Sequence, residues 1–156
     1  MQFTNRQVFP ADPHVVHAMV TDEDFLSHAA VEMGALDARV AADATRSAVH
    51  ASVEPPAGVR PFVGPRLSIV QEMTWGQAAA DGSRDGILSI TVAGAPVTMR
   101  GTARLEPTAS GSTITYDGEL TVNVPLVGAR IEQAAAPALL EALEAQGRVG
   151  RTWLTR

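Results

Sequence analysis

The residues able to carry metal chemistry in this sequence are few, and the histidines come first. They are His14, His17, His28 and His50. His14 and His17 lie three apart, and His28 and Glu32 lie four apart, in segments of helical pattern. Such spacing can set two ligands on one helical face. Neither pair has a third ligand in view, and no His-Glu-x-x-His pattern occurs. They read as solvated helix histidines, with no metal and no cofactor. Cysteine and lysine are both absent, which removes disulfides, thiol chemistry and Schiff-base chemistry. No serine stands in a Gly-x-Ser-x-Gly elbow, and no glycine-rich phosphate loop follows a strand. Two polar residues remain, Gln71 and Tyr116, both on the apolar side of alternating segments. A buried amide or hydroxyl must find a partner. Either these two bond each other, the backbone or water, or they orient the polar end of a bound molecule. Neither offers a carboxylate for general-base work, which counts against catalysis.

The elements around them follow from periodicity. From Ile114 to Val124 the even positions are Ile114, Tyr116, Gly118, Leu120, Val122 and Val124, and the odd ones are polar. That is a long strand with one dry face, stopped by Pro125. After Gly128 the period becomes helical, with Ile131, Ala135, Leu139, Leu143 and Gln146 on one face. Pro137 lies inside this helix, removes the bond to the Gln133 carbonyl and is expected to kink it. Earlier, Phe3 to Phe9 reads as an edge strand. Asp12-Pro13 starts a helix whose apolar side is Val15, Val16, Met19 and Val20. A second helix starts at the acidic run Thr21 to Asp24 and ends at Gly34.

A hairpin then alternates through Leu36, Ala38 and Val40 and back through Ser47, Val49, Ala51 and Val53. Pro55 to Gly58 breaks it, and Val59 to Pro65 is a loop whose Phe62 and Val63 are candidates for a lid. Three more strands bring Ile69, Gln71, Met73 and Trp75, then Leu88 and Ile90, then Met99 to one interior. Tyr116 and Leu120 face it from the long strand, and Ile131, Ala135, Leu139 and Leu143 from the last helix. With Phe62 these are the candidate cavity-lining residues. The small face Ala134, Ala135, Ala138 and Ala142 either leaves a ligand-sized volume or lets the helix sit closer to the sheet.

Strands in a run with helices set apart make an α+β domain, and 156 residues make one domain. A formal charge of -5 argues against nonspecific binding to nucleic acid or to an anionic membrane. No apolar run nears the roughly 18 to 20 residues of a membrane span, and the first residues lack a signal peptide's apolar stretch. The expectation is a soluble cytoplasmic protein. Arg100 and Arg104 read as part of a solvated strand face.

The order of elements, together with Ala11-Asp12-Pro13, Val70 to Trp75, Val124-Pro125-Leu126-Val127-Gly128 followed by Ile131-Glu132, and Arg151 to Leu154, resembles a known superfamily. It is similar to the START-like, or SRPBCC, proteins, whose helix-grip fold the birch pollen allergen typifies. More narrowly, it resembles a bacterial family described as domain of unknown function 2505. The resemblance implies a helix-grip fold, a curved antiparallel sheet of about seven strands wrapped around a long C-terminal helix with a hydrophobic cavity between them. Superfamily members bind lipids, sterols, polyketides or aromatics, and some are cyclases or hydratases. It carries over no catalytic motif. The expectation is a small hydrophobic ligand, with no nucleic acid partner and no stable membrane insertion. The alternatives are an enzyme of cyclase or hydratase type, or a ligand-free scaffold acting through protein contacts or as a homodimer.

Overall fold

Two aspartates set the start of the chain's helical hairpin. In the computed structural model, which describes residues 1–156, Asp12 Oδ1 accepts from the backbone N–H of His14 at 3.0 Å and of Val15 at 3.2 Å. With Pro13 in the first turn this starts α1 (Pro13–Val20). Asp22 Oδ1 accepts from Phe25 N–H at 2.9 Å and starts α2 (Glu23–Glu32). Val16, Met19, Val20, Phe25, Leu26 and Ala29 are buried. The buried stripe of α1 also takes in His17 and leaves Val15 exposed. The expected apolar side was therefore off by part of a turn, and one of the four histidines is not solvated.

The strands are β1 (Gln2–Phe9), β2 (Ala35–Ala42), β3 (Arg46–Val53), β4 (Leu67–Trp75), β5 (Arg84–Val92), β6 (Val97–Thr108) and β7 (Gly111–Val122). They form one antiparallel sheet in the order β1-β7-β6-β5-β4-β3-β2. The helices α1 and α2 carry the chain from one edge of the sheet to the other. A short α3 (Arg60–Val63) joins β3 to β4, and α4 (Gly128–Leu154) runs 27 residues to the C-terminal end. This is the expected α+β helix-grip fold, with seven strands, a long last helix and two short helices after the first strand. No helix is long and apolar enough to cross a membrane.

The alternation of β7 reads as predicted, with Ile114, Tyr116, Leu120 and Val122 buried. That of β2 does not. Leu36 is exposed because the pairing with β3 shifts between Ala35 and Asp37, a bulge that takes one residue out of the period. In β1 the inward residues include Asn5 and Gln7, both buried. Gln7 Nε2 donates to the Leu143 carbonyl of α4 at 2.8 Å, and Asn5 Nδ2 donates to Glu144 Oε1 at 2.8 Å. Polar side chains thus tie the edge strand to the last helix. Farther along α4, a Cβ on Gly150 would lie 2.7 Å from Phe9 Cε1 and 3.0 Å from Met19 Cε, so only glycine lets the helix lie this close.

At its other end α4 is tied again, since Glu132 Oε2 accepts from the backbone N–H of Val122 at 3.1 Å. Pro137 does not interrupt α4. Both Pro137 and Gln133, whose carbonyl loses its helical partner, are exposed, so water can take up the freed acceptor. The core is one large cluster centred on Phe9, Phe25, Leu105 and Ile114, and a small one of Val59, Val122 and Ile131.

Candidate functional site

Helix α4 rests on β1, β7 and α2. Its bonds to the sheet, through Gln7, Asn5 and Val122, all lie on the β1–β7 side. Near its last turns Trp153 meets Phe25 of α2 edge-on, with ring centroids 5.5 Å apart. Strands β3, β4 and β5 stand off from it, and the space between holds a cavity of about 300 Å³. Of its 30 lining residues 25 are hydrophobic, so most of the wall offers no hydrogen bond.

The sequence-predicted residues fall as follows. Ile69, Gln71, Met73 and Trp75 line the cavity from β4, Leu88 and Ile90 from β5, and Met99 from β6. Tyr116 and Leu120 line it from β7, and Ala135, Leu139 and Leu143 from α4. Two expected residues do not. Phe62 is 45 % exposed and does not line the cavity. Val59 and Val63, four apart, pack into the small cluster with Val122 and Ile131. Ile131 is buried against Val59 and Val122, where it plugs the end of the sheet. Eighteen of the 30 lining residues were not among the candidates, and for three of them the pattern held a usable signal. Met33 belongs to the end of α2, Ser47 shares its side of β3 with Val49, and Gln146 sits on the same helical face as Leu143.

The cavity has two unlike ends, which the strand register defines. Val53 pairs with Leu67 at one end, where the exposed Glu54 and Ala138 also line the wall and open it to solvent. At the other end Tyr116 pairs with Ala103, Ala103 with Gly86 and Gly86 with Trp75. A Cβ on Gly86 would lie 2.9 Å from the Trp75 ring, so the indole lies flat on the sheet only because this residue is glycine. Ser47 pairs with Met73 on the adjacent row. Gln146 comes down on this end too, since the Cβ that its neighbour Gly147 lacks would lie 3.3 Å from Gln7 Cγ on β1.

Gln71 and Tyr116 are not partners. Gln71 pairs with Val49 and Ile90, while Tyr116 pairs with Asn5 and Ala103, three strands away. Burial raises the Tyr116 phenol above its ordinary value and keeps it neutral. Behind Trp75 stands His17, edge-on with ring centroids 5.9 Å apart. Its Nε2 is buried without a hydrogen-bond partner, as is Trp75 Nε1. Burial, and next the nearby Arg84 guanidinium, hold the His17 imidazole below its ordinary value. His14 is exposed and His17 buried, so the pair three apart does not converge on a metal, and no three His, Asp or Glu side chains gather anywhere. Glu54 is the one carboxylate on the cavity wall, and it stands at the mouth, away from Tyr116.

Solved structures share this architecture at low sequence identity. The protein TTHA0849 from Thermus thermophilus superposes with a TM-score of 0.67 and 13% identity, covering 97% of this chain and 95% of that one. Protein Ms6760 from Mycobacterium smegmatis gives 0.62 and 12%, covering 99% and 90%. Ara h 8.0201 gives 0.59 and 13%, covering 100% and 99%. These likenesses establish the fold alone. In sequence, the uncharacterized protein Rv0481c of Mycobacterium tuberculosis is 30% identical over 95 residues, 57% of this chain. The match spans about half of that relative, 52% of its length. The model of the family described as Protein of unknown function (DUF2505) matches residues 4–154, nearly the whole chain, and the chain belongs to that family.

Proposed function

We propose that this protein binds a small hydrophobic or amphipathic molecule of lipid, polyketide or aromatic type between its sheet and α4. The observation that carries the reading is the apolar cavity of about 300 Å³, at the lower bound of ligand-sized sites, held open because α4 rests on β1, β7 and α2 and not on β3 to β5. A cyclase or hydratase on the same frame needs an acid or imidazole beside the polar wall group Tyr116. Glu54 stands at the mouth and His17 lies behind Trp75, which favours the container over the enzyme. The test is native mass spectrometry of the purified protein, followed by denaturing extraction. A reproducible co-purifying mass is the expected result. An unshifted mass after challenge with lipids, sterols and polyketides overturns the reading and leaves a scaffold, whose oligomeric state then becomes the quantity to measure.

A further inference from the structure

Three polar side chains line the cavity wall while almost wholly buried: Tyr116 at 4%, Gln146 at 8% and Ser47 at 4% exposure. None of them makes a hydrogen bond to another protein group; away from the cavity the buried Asn5, Gln7, Ser83 and Ser112 side chains are bonded, while the Thr113 hydroxyl and His17 Nε2 are not. A buried hydroxyl or amide left unpaired costs free energy, and it is retained where something else supplies the partner. The register places Tyr116 toward the closed end and α4 brings Gln146 down on the same end, while Ser47, on β3, stands four strands from Tyr116 on the far side of the wall.

All three groups are neutral, and each can both donate and accept. No arginine or histidine lines the cavity. Of the arginines near the closed end, Arg104 pairs with Asp85 and Glu106 and reaches Ser83 Oγ, and Arg84 Nη1 donates to the Gly76 carbonyl while its buried Nε has no partner; neither side chain is on the cavity wall. A carboxylate or phosphate seated here would lose its hydration and gain no cation, and Glu54 stands at the mouth it must pass. A hydroxyl or carbonyl loses little hydration and meets donors and acceptors already in place.

Resting on the container reading above, we infer that the occupant is an uncharged amphiphile whose single hydroxyl or carbonyl group seats at the closed end against Tyr116 and Gln146. Its apolar body lies along Ile69, Ile90 and Leu139 toward the mouth. The experiment is competition at pH 8 against the neutral fluorophore N-phenyl-1-naphthylamine, with decan-1-ol and decanoate as a matched pair. Decan-1-ol is expected to displace the fluorophore at a concentration at least about tenfold lower than decanoate. Tyr116→Phe and Gln146→Leu, each checked for folding, are expected to weaken decan-1-ol by roughly three- to tenfold more than they change the affinity of the fluorophore, which has no hydroxyl or carbonyl. Decanoate as good as the alcohol, or alcohol affinity unmoved in both variants, overturns the inference and leaves the container standing. Failure of the fluorophore and both ligands to bind overturns the container reading itself, and the inference with it.

Discussion

Replacing Ala142 by leucine separates a real void from a filled core by the sign of a stability change. Ala142 lines the cavity from α4 and is only partly buried, and the packed core clusters do not include it. The substitution adds three carbons on the cavity side. At about 0.8 kcal/mol per buried methylene the full gain is roughly 2.4 kcal/mol, and about half of it survives at a site open on one side. Restricting the leucine rotamers removes about 0.5 to 1 kcal/mol. The net expectation is a stabilisation of roughly 0.2 to 0.7 kcal/mol in ligand-free protein. In a filled core the same change would overpack and cost about 1 to 3 kcal/mol. Urea unfolding of extracted protein reads the difference, since a change of 1 kcal/mol moves the midpoint by roughly 0.3 to 1 M at ordinary slopes. The variant should also bind apolar probes more weakly. A midpoint lowered by more than about 0.5 M would show that no space stands open at Ala142.

Three further outcomes follow from the structure. Gly150→Ala forces a methyl toward the buried ring of Phe9, so a destabilisation of roughly 1 to 2 kcal/mol is expected despite alanine's better helix propensity. Gly147→Ala would bring its methyl to 3.3 Å from Arg151 Nη1 and from Cγ of the buried, α4-bonded Gln7, so its urea midpoint should fall less than that of Gly150→Ala. His17 is neutral and buried, with a folded value held below 6.5. The stability this contributes is complete above pH 6.5 and drains away as pH falls below it, because the unfolded chain takes up the proton first. Asp43, held low by the backbone N–H of Thr45, and Asp81, held low by the Ser83 hydroxyl, lose theirs only at more acidic pH. Urea midpoints between pH 7 and 5 should therefore fall in the native protein and stay flat in His17→Gln; parallel curves would rule the histidine out as the cause. Phe62→Ala should leave ligand off-rates in stopped flow unchanged, and a faster release would restore the lid.

Where period and local chemistry agree, this fold can be read from the chain. β7 alternates from Ile114 to Val122, α4 keeps one apolar face over several turns, and Asp12 and Asp22 cap the helices their positions announce. The misreadings come from contacts far apart in sequence. Asn5 and Gln7 disturb the alternation of β1 because their partners are Glu144 and the Leu143 carbonyl, which no local pattern reveals. Leu36 fails because a bulge removes one residue from the period, and His17 because Trp75, distant in the chain, supplies the wall it packs on. The cavity wall was legible by strand parity along β4 to β7. Phe62 was lost to the phase of a single helical turn, and Ile131 to a second small cluster that only the folded chain assembles.

Because α4 is bonded to the sheet along one flank only, its resistance to displacement is lopsided. The flank held by Gln7, Asn5 and Val122 through hydrogen bonds gives little, since each has a fixed length and direction. The flank facing β3 to β5 carries Ala138, Ala142 and Leu139, whose dispersion contacts are weak singly and carry no directional demand. The last turns are held on the other side by α2, where Trp153 meets Phe25, so the helix bridges two supports with the cavity spanned between them. Between those supports, a displacement of α4 disturbs contacts without directional demand and leaves the strand ladder untouched.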